Sequence, residues 1–483
     1  MKATVLVRAA VLTLSVALVP VLPGEVWAAE PPAGVPEAAC SCSAAFDQAI
    51  ASVEADYAGF QLKVEAERRE AYDRFKALQR KDAASAGADR CKEVLDTYLW
   101  FFQDYHLFAL RYGKAGETAK STARPWTEAG ARAEIDRHRE RLDPVEGLWY
   151  SQAGRYAVLH EAGAPAGSFF AVRLNGDGSP STELVALLRR TARGTYQALL
   201  RDAQGLWQNR GADLYRGGAL LSFGFQSWGR LHPAAPESRL DPADPQAPLF
   251  ARLDAKTLYL SLPSFSGEYR QPLADLLEAR GAEIGKAEGL IIDLRGNGGG
   301  DLIYAGLVPY IFTGSFEYQQ DNLILASPRN LRELEAIRAP LGEGGAEFDP
   351  ALRRMRENPG KLVPFRDAMS YTPPVLSPGP RRVVLLVDRA VASAAEAMVL
   401  WSRQSPRVTV VGENTRGNID YQQVILNSIG CGDHTYALGI PLYTRTRQLP
   451  EGALDLLGIA PDIPLSEDLA DPLALAVRLL AEG

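Results

Sequence analysis

Apolar residues recur at spacings of three and four along the first part of the chain. Phe46, Ile50, Val53 and Tyr57 form one such series, and Val94, Leu95, Tyr98, Leu99, Phe101 and Phe102 form another. That period puts side chains on one face of a helix. It predicts a helical N-terminal region over residues 43–142. Within it a charged helix runs to about Ala83, a third from about Asp89 to Arg111, and a fourth from about Trp126 to Leu142. After Asp143-Pro144 the pattern shortens to alternating segments at Gly147–Tyr150, Tyr156–Leu159, Phe169–Arg173, Thr195–Leu199 and Ala219–Phe223, with a turn signal at Asn175-Gly176. Such segments read as strands, so residues 146–230 are expected to form a small all-β domain. Prolines at 233, 236, 242, 245 and 248 predict a Pro-rich linker over residues 231–248.

From Leu249 the texture is α/β. Buried strands are predicted at Thr257–Leu262, Gly289–Asp293, Arg382–Val387 and Val408–Gly412, with helical stretches such as Tyr269–Lys286 between them. Strands alternating with helices imply a mostly parallel sheet over residues 249–483, with its chemistry at the strand C-terminal ends. The charged, Gly-containing stretch 343–364 reads as an excursion near that site.

Composition narrows the partners. Of 483 residues, 46% are hydrophobic and 23% charged, as in ordinary globular proteins. The net charge is −7, without a long basic run, which argues against nucleic acid and anionic membrane as partners. Lys2 and Arg8 precede an apolar run from Ala9 to Leu22, and Ala28 supplies a small residue for cleavage. Residues 1–28 therefore read as a signal peptide of a periplasmic or secreted protein. The run is short and Pro20 and Pro23 interrupt it, so no stable membrane anchor is expected. Among the four cysteines, Cys91 is expected to pair with Cys40 or Cys42, tying two N-terminal helices together. Cys40-Ser41-Cys42 lacks a matching Cys/His pair, so no metal site is expected.

The candidate chemistry centres on Ser393. The apolar run Val383–Val387 ends at Asp388, a short turn follows, and Ser393 opens a predicted helix from Ala394 to Ser402. Exposed amides at a helix N-terminus hold negative charge, so a serine delivered there suits a nucleophile beside an oxyanion hole. Serine is also a favoured N-cap, and the surrounding motifs decide between the two readings. Glu396 suits the helix dipole and reads as structural. A second buried strand ends in Asp293-Leu-Arg-Gly-Asn-Gly-Gly-Gly300, whose glycines let the backbone present N–H groups. This loop lacks the Gly-Lys-Ser/Thr ending of a phosphate loop.

These passages come in order with Gly412-Glu-Asn-Thr-Arg-Gly417 and Gly458-Ile-Ala-Pro-Asp-Ile463. The ordered set resembles the tail-specific (C-terminal processing) serine peptidases, a family that includes the tricorn core and the interphotoreceptor retinoid-binding protein. The resemblance covers about residues 249–470. It implies a ClpP/crotonase-like α/β spiral core, a serine peptidase acting on peptide or protein substrates, and no cofactor. It implies Ser393 as nucleophile, with an oxyanion hole from the N–H of Ala394 and of a glycine among Gly298, Gly299 and Gly300. One departure matters. Where tail-specific members carry a basic lysine, this chain has Asn418, beside the permanently charged Arg416. The resemblance is therefore closest to the histidine-using branch. There His106 is the expected base and Asp455 the acid that orients it. His434 is the alternative base, and Asp420 and Asp104 are alternative acids. The absent lysine also leaves a rival: a silent member of the fold that binds peptides or apolar ligands.

Overall fold

The computed structural model describes residues 40–64, 68–112, 121–160, 163–201, 207–224, 226–235, 239–241, 244–373, 377–465 and 471–482. The leader expected over residues 1–28 lies outside them. The N-terminal region folds as α1 (Cys42–Asp56), α2 (Ala58–Val64), α3 (Arg69–Ser85) and α4 (Ala88–Trp100), then β1 (Phe108–Tyr112), β2 (Ser121–Trp126) and α5 (Glu128–Arg137). Phe46, Ile50, Val53, Tyr57, Leu95 and Tyr98 share one aromatic-rich core. A Cys42–Cys91 disulfide joins α1 to α4, and Cys40–Cys431 ties the start of α1 to the far end of the chain.

The third helix is shorter than its periodicity suggests, and the segment that follows is a strand. The chain turns at Gln103 (φ 51°), and Asp104 Oδ1 then accepts the His106 N–H at 2.8 Å. A short polar side chain that caps its own backbone competes with continued helix. The fourth helix begins only at Glu128, where Thr127 Oγ1 accepts the Gly130 N–H at 3.0 Å.

Eight consecutive antiparallel strands follow: β3 (Gly147–Ser151), β4 (Gly154–His160), β5 (Ser168–Leu174), β6 (Ser181–Arg190), β7 (Tyr196–Arg201), β8 (Trp207–Tyr215), β9 (Leu220–Ser222) and β10 (Ser227–His232). Each pairs with the next, and β10 pairs with β3, so the sheet closes on itself as a barrel. Trp149, Trp228, Tyr156 and Phe169 fill it, with Tyr156 stacked on Trp228 at 4.2 Å. The described part of the proline-rich segment packs closely. Pro245 lies so near Gly229 that an added Cβ there would stand 2.1 Å from it.

The core continues as β11 (Leu249–Arg252), β12 (Thr257–Ser261), α6 (Arg270–Ile284), β13 (Gly289–Asp293), α7 (Val308–Ile311), β14 (Phe316–Gln319) and β15 (Leu323–Leu325). Next come α8 (Pro328–Arg338), α9 (Asp349–Glu357), β16 (Leu362–Pro364), β17 (Met369–Tyr371), β18 (Arg382–Val387), α10 (Ala394–Ser402) and β19 (Val408–Gly412). The chain closes with β20 (Tyr421–Ile429), β21 (Thr435–Thr444), β22 (Ile463–Pro464) and α11 (Pro472–Glu482). The main sheet has the order β11-β12-β13-β18-β19-β22 and is parallel except for β11. Every residue of β12 and β13 is buried, as expected of parallel strands covered on both faces. The α/β class with helical and all-β additions is thus met. A second sheet, β1-β21-β15-β16 with β20 on β21, brings the N-terminal β1 against the core. That pairing carries the Asp104–His106 turn to the side of the core that holds Ser393.

Candidate active site

Ser393 stands six residues past the end of β18 and immediately ahead of α10. Its backbone is at φ 55°, ψ −119°, a region costly for a side chain with a Cβ. Such strain costs of order 1–3 kcal/mol and persists only where surrounding contacts fix it. Glu396 supplies them. Its Oε2 accepts the N–H of Ser393 and of Asn418, both at 2.9 Å. Its Oε1 accepts the Thr415 hydroxyl at 2.6 Å and the Gly417 N–H at 2.8 Å. The carboxylate is fully buried, and burial pushes its pKa up against these four bonds. Glu396 therefore joins the Ser393 turn to the Thr415–Asn418 loop.

The glycine loop lies directly against Ser393. A Cβ added at Gly299 (φ 94°) would stand 2.9 Å from the Ser393 Cβ and 2.6 Å from the Ala392 carbonyl, so only glycine fits. Asn297 fixes the loop: it donates to the Leu262 carbonyl at 2.8 Å, and its own carbonyl accepts the Ala392 N–H at 3.1 Å. Asn297 Oδ1 accepts the Gly299 N–H at 2.9 Å, so that donor is already engaged. Among the described residues no hydrogen bond takes the N–H of Gly298, Gly300 or Ala394. Asp388 Oδ1 accepts from Gly296 at 3.1 Å and from Ala390 at 3.0 Å, bridging the loop to the turn that leads to Ser393. Burial pushes the Asp388 pKa up to about 6.

Beneath the loop, buried Asp293 meets the Arg295 guanidinium at 2.8 Å and Arg216 at 3.1 Å. Those two cations hold its pKa below the usual carboxylate range despite burial. Arg216 follows barrel strand β8, and it also donates to the carbonyls of Asp293 at 2.8 Å and of Arg295 at 2.5 Å. The barrel thus reaches under the glycine loop.

His106 and Ser393 line the same cavity, about 410 Å³ in volume. The imidazole is buried, and its Nδ1 stands 2.5 Å from the Tyr421 carbonyl. A carbonyl only accepts, so Nδ1 carries a proton, and in the neutral ring Nε2 is the nitrogen with the lone pair. Asp455, expected to orient this ring, is bonded elsewhere. Its Oδ1 accepts the N–H of Ile419 at 3.1 Å and Asp420 at 2.9 Å. Asp420 replies in kind, its Oδ2 accepting from Leu454 at 2.7 Å and Asp455 at 2.9 Å. Asp420 Oδ1 meets Arg445 at 2.9 Å. The two carboxylates clamp the peptides just ahead of Tyr421, whose carbonyl holds His106. Asp104 touches the His106 backbone, not its ring, and its other oxygen accepts from Tyr57 at 2.7 Å. Burial, then the charges of Asp104 and Asp420, push the Asp455 pKa up to about 8, with Lys63 3.9 Å away.

His434 sits in the turn joining β20 to β21, beside the Cys40–Cys431 disulfide. At about 3.3 Å per residue, the rise along β20 separates that turn from Tyr421 by roughly 26 Å. This removes the alternative base from the site. His138 pairs with Glu134 at 3.2 Å and His232 with Asp136 at 2.8 Å, both away from Ser393. Asn418 is buried, with its side-chain oxygen unpartnered among the described residues. Sequence reasoning missed the Tyr421 carbonyl, Arg216 and the bridging role of Asp388. The first is a backbone group and left no signal in the residue pattern.

The sequence profile of peptidase family S41 matches residues 256–465, a span holding the glycine loop, Ser393 and the Gly458 loop. No curated relative matches the chain in sequence. Similar solved structures include a putative peptidase from Parabacteroides merdae, at 15% identity over 91% of this chain and 96% of that one, with a TM-score of 0.43. They also include mature CPAF complexed with lactacystin, at 12% identity, 91% and 97% coverage and a TM-score of 0.49. The photosystem II D1 C-terminal processing protease is 14% identical over 92% and 97%, with a TM-score of 0.37. The core that holds Ser393 thus matches peptidase family S41 over residues 256–465, and the protein is a serine-type peptidase.

Proposed function

We propose that the protein is an exported peptidase that cleaves peptide bonds through an acyl-enzyme on Ser393, with His106 as general base. The observation that carries this reading is the His106 ring. It lines the Ser393 cavity with Nδ1 bonded to the Tyr421 carbonyl and, among the described residues, no hydrogen bond at Nε2. Nε2 takes the Ser393 Oγ proton as Oγ attacks the substrate carbonyl carbon. The oxyanion is held by the Ala394 N–H and that of Gly298 or Gly300. The imidazolium then gives its proton to the leaving amine. A water molecule, deprotonated by Nε2, attacks the ester, and Ser393 regains its proton as the acid leaves. The Tyr421 carbonyl fixes the tautomer, and Asp455 serves by positioning the Ile419–Asp420 backbone.

Export is supported by the disulfides Cys40–Cys431 and Cys42–Cys91, which use all four cysteines. Such bonds persist in oxidising compartments. The test is mass-spectrometric detection of new peptide termini when the purified protein meets a protein substrate. Cleavage is expected with the wild type and not with Ser393→Ala. Equal cleavage by both would refute the reading.

A further inference from the structure

A second cavity, about 900 Å³ in volume, opens where α4, the barrel and the Thr415–Asn418 loop meet. Five large apolar side chains are exposed among the described residues, and three of them, Trp100, Tyr105 and Leu457, line this groove. The Trp100 and Tyr105 rings stand 5.5 Å apart. Exposed apolar side chains gathered in one place, rather than scattered singly, mark a surface that meets a partner. Asn418 lines the same groove. It is buried; its side-chain oxygen has no partner, and its side-chain nitrogen makes no hydrogen bond among the described residues. A carboxamide offers a carbonyl acceptor and N–H donors, the complement of a peptide group. Charged groups on the walls are already engaged: Lys92 meets Asp96, Arg389 meets Asp213 at 3.2 Å, and Arg416 lies over the Tyr105 ring at 5.9 Å. An apolar patch beside an unpaired amide suits a polypeptide, which carries both kinds of group, better than a wholly apolar ligand.

The groove adjoins Ser393 without including it. Gly224 lines the groove, and a Cβ added at Gly298 would stand 3.4 Å from the Gly224 carbonyl oxygen. The next residue, Gly299, is the one whose added Cβ would stand 2.9 Å from the Ser393 Cβ. Consecutive Cα atoms lie about 3.8 Å apart, so one short loop borders both spaces. Glu396 gives a second link, since it accepts the N–H of Ser393 and of Asn418. Resting on the peptidase reading above, we propose that this groove is an exosite for the polypeptide substrate. It holds an extended segment some residues away from the scissile bond, with the backbone bonded to the Asn418 amide and apolar side chains against Trp100, Tyr105 and Leu457. Short peptides confined to the surroundings of Ser393 lack this hold, and longer chains gain it. The gain appears in KM rather than kcat, because the segment is bound alike before and during the reaction.

The experiment uses internally quenched peptides built on a cleavage site mapped in a protein substrate. One is short, about six residues; the others add about eight residues of alternating leucine and serine, roughly 26 Å of chain, to one side or the other. In the wild type, extension on one side is expected to lower KM at least about tenfold with kcat little changed. Trp100→Ala and Tyr105→Ala each remove an aromatic anchor and are expected to take back at least about fivefold of that gain. Asn418→Leu removes the amide and is expected to take back at least about threefold. Leu78→Ala alters an exposed apolar residue of α3 outside the groove and should keep the full gain. KM does not depend on how much protein is active. Equal KM for short and extended peptides in the wild type, or a gain kept in full by all three groove variants, would overturn the inference. Labelling of wild-type Ser393 by a fluorophosphonate separates the two levels. Labelling and cleavage without a gain from length removes this inference alone, and absent labelling removes the peptidase reading with it.

Discussion

Glu396→Ala removes the carboxylate that holds Ser393 in its unfavourable backbone conformation. Four donors lose their acceptor: the N–H groups of Ser393, Gly417 and Asn418 and the Thr415 hydroxyl. The hydroxyl can rotate, whereas the three amides cannot. Each buried amide left unpaired costs about 1–3 kcal/mol, or about 3–9 kcal/mol together. Removing a buried carboxylate relieves its own desolvation, so the lower part of that range, about 3–5 kcal/mol, is expected. That is a large share of the roughly 5–15 kcal/mol that stabilises a typical domain. Glu396→Gln is milder. In one orientation its amide group faces only the Gly417 N–H and the rotatable Thr415 hydroxyl, leaving one mismatched donor worth about 1–3 kcal/mol. Urea unfolding followed by circular dichroism measures both. Fluorophosphonate labelling below the transition reports whether Ser393 keeps its geometry, and at least a tenfold slower reaction is expected for Glu396→Ala. An alanine variant within about 0.5 kcal/mol of wild type that labels at the wild-type rate would refute the role given to Glu396.

Three further outcomes follow from the same geometry. Burial raises Asp388 to about 6 from an ordinary 3.8, so its favourable contribution is full below about pH 3.8 and lost as pH rises through 6, about 3 kcal/mol in all. Asp388→Asn keeps an oxygen for Gly296 and Ala390, so thermal melts between pH 4 and 7 should show a decline in the wild type that the variant lacks; equal slopes would contradict this. Asp455→Asn retains an acceptor for Ile419 and Asp420 and should label at a rate within about threefold of wild type, because the Tyr421 carbonyl holds the imidazole. Asp455→Ala should label at least tenfold more slowly, and a tenfold loss in Asp455→Asn would point instead to direct contact with His106. Arg216→Met breaks a buried ion pair at 3.1 Å and is expected to cost about 3–5 kcal/mol in urea unfolding; a barrel that merely rests on the core would show almost no change.

The parallel sheet was legible because its strands are unbroken branched apolar runs. Gly289–Asp293, Arg382–Val387 and Val408–Gly412 read as they fold, and α10 begins at Ala394 as expected. The barrel was half legible. β6, Ser-Thr-Glu-Leu-Val-Ala-Leu-Leu-Arg-Arg, carries no clear alternation, and β8 is too polar to stand out; both are strands because each pairs on two sides in a closed sheet. The helix expected to reach Arg111 fails for a related reason. Phe108–Tyr112 gains a partner in β21, a contact more than 300 residues away that no local window contains. At the proposed site, Ser393 and the glycine loop could be singled out by residue type, and they lie against each other in the fold. The group that orients His106 did not, because it is a main-chain carbonyl whose position depends on Asp420 and Asp455 folding back on each other.

The central claim is that a histidine from the N-terminal region activates Ser393. It is tested most directly by the rate of fluorophosphonate labelling in His106→Ala beside His434→Ala. General-base assistance is worth about 10²–10⁴-fold, so His106→Ala should label slower by that factor and His434→Ala at the wild-type rate. Wild-type labelling in His106→Ala would contradict the account.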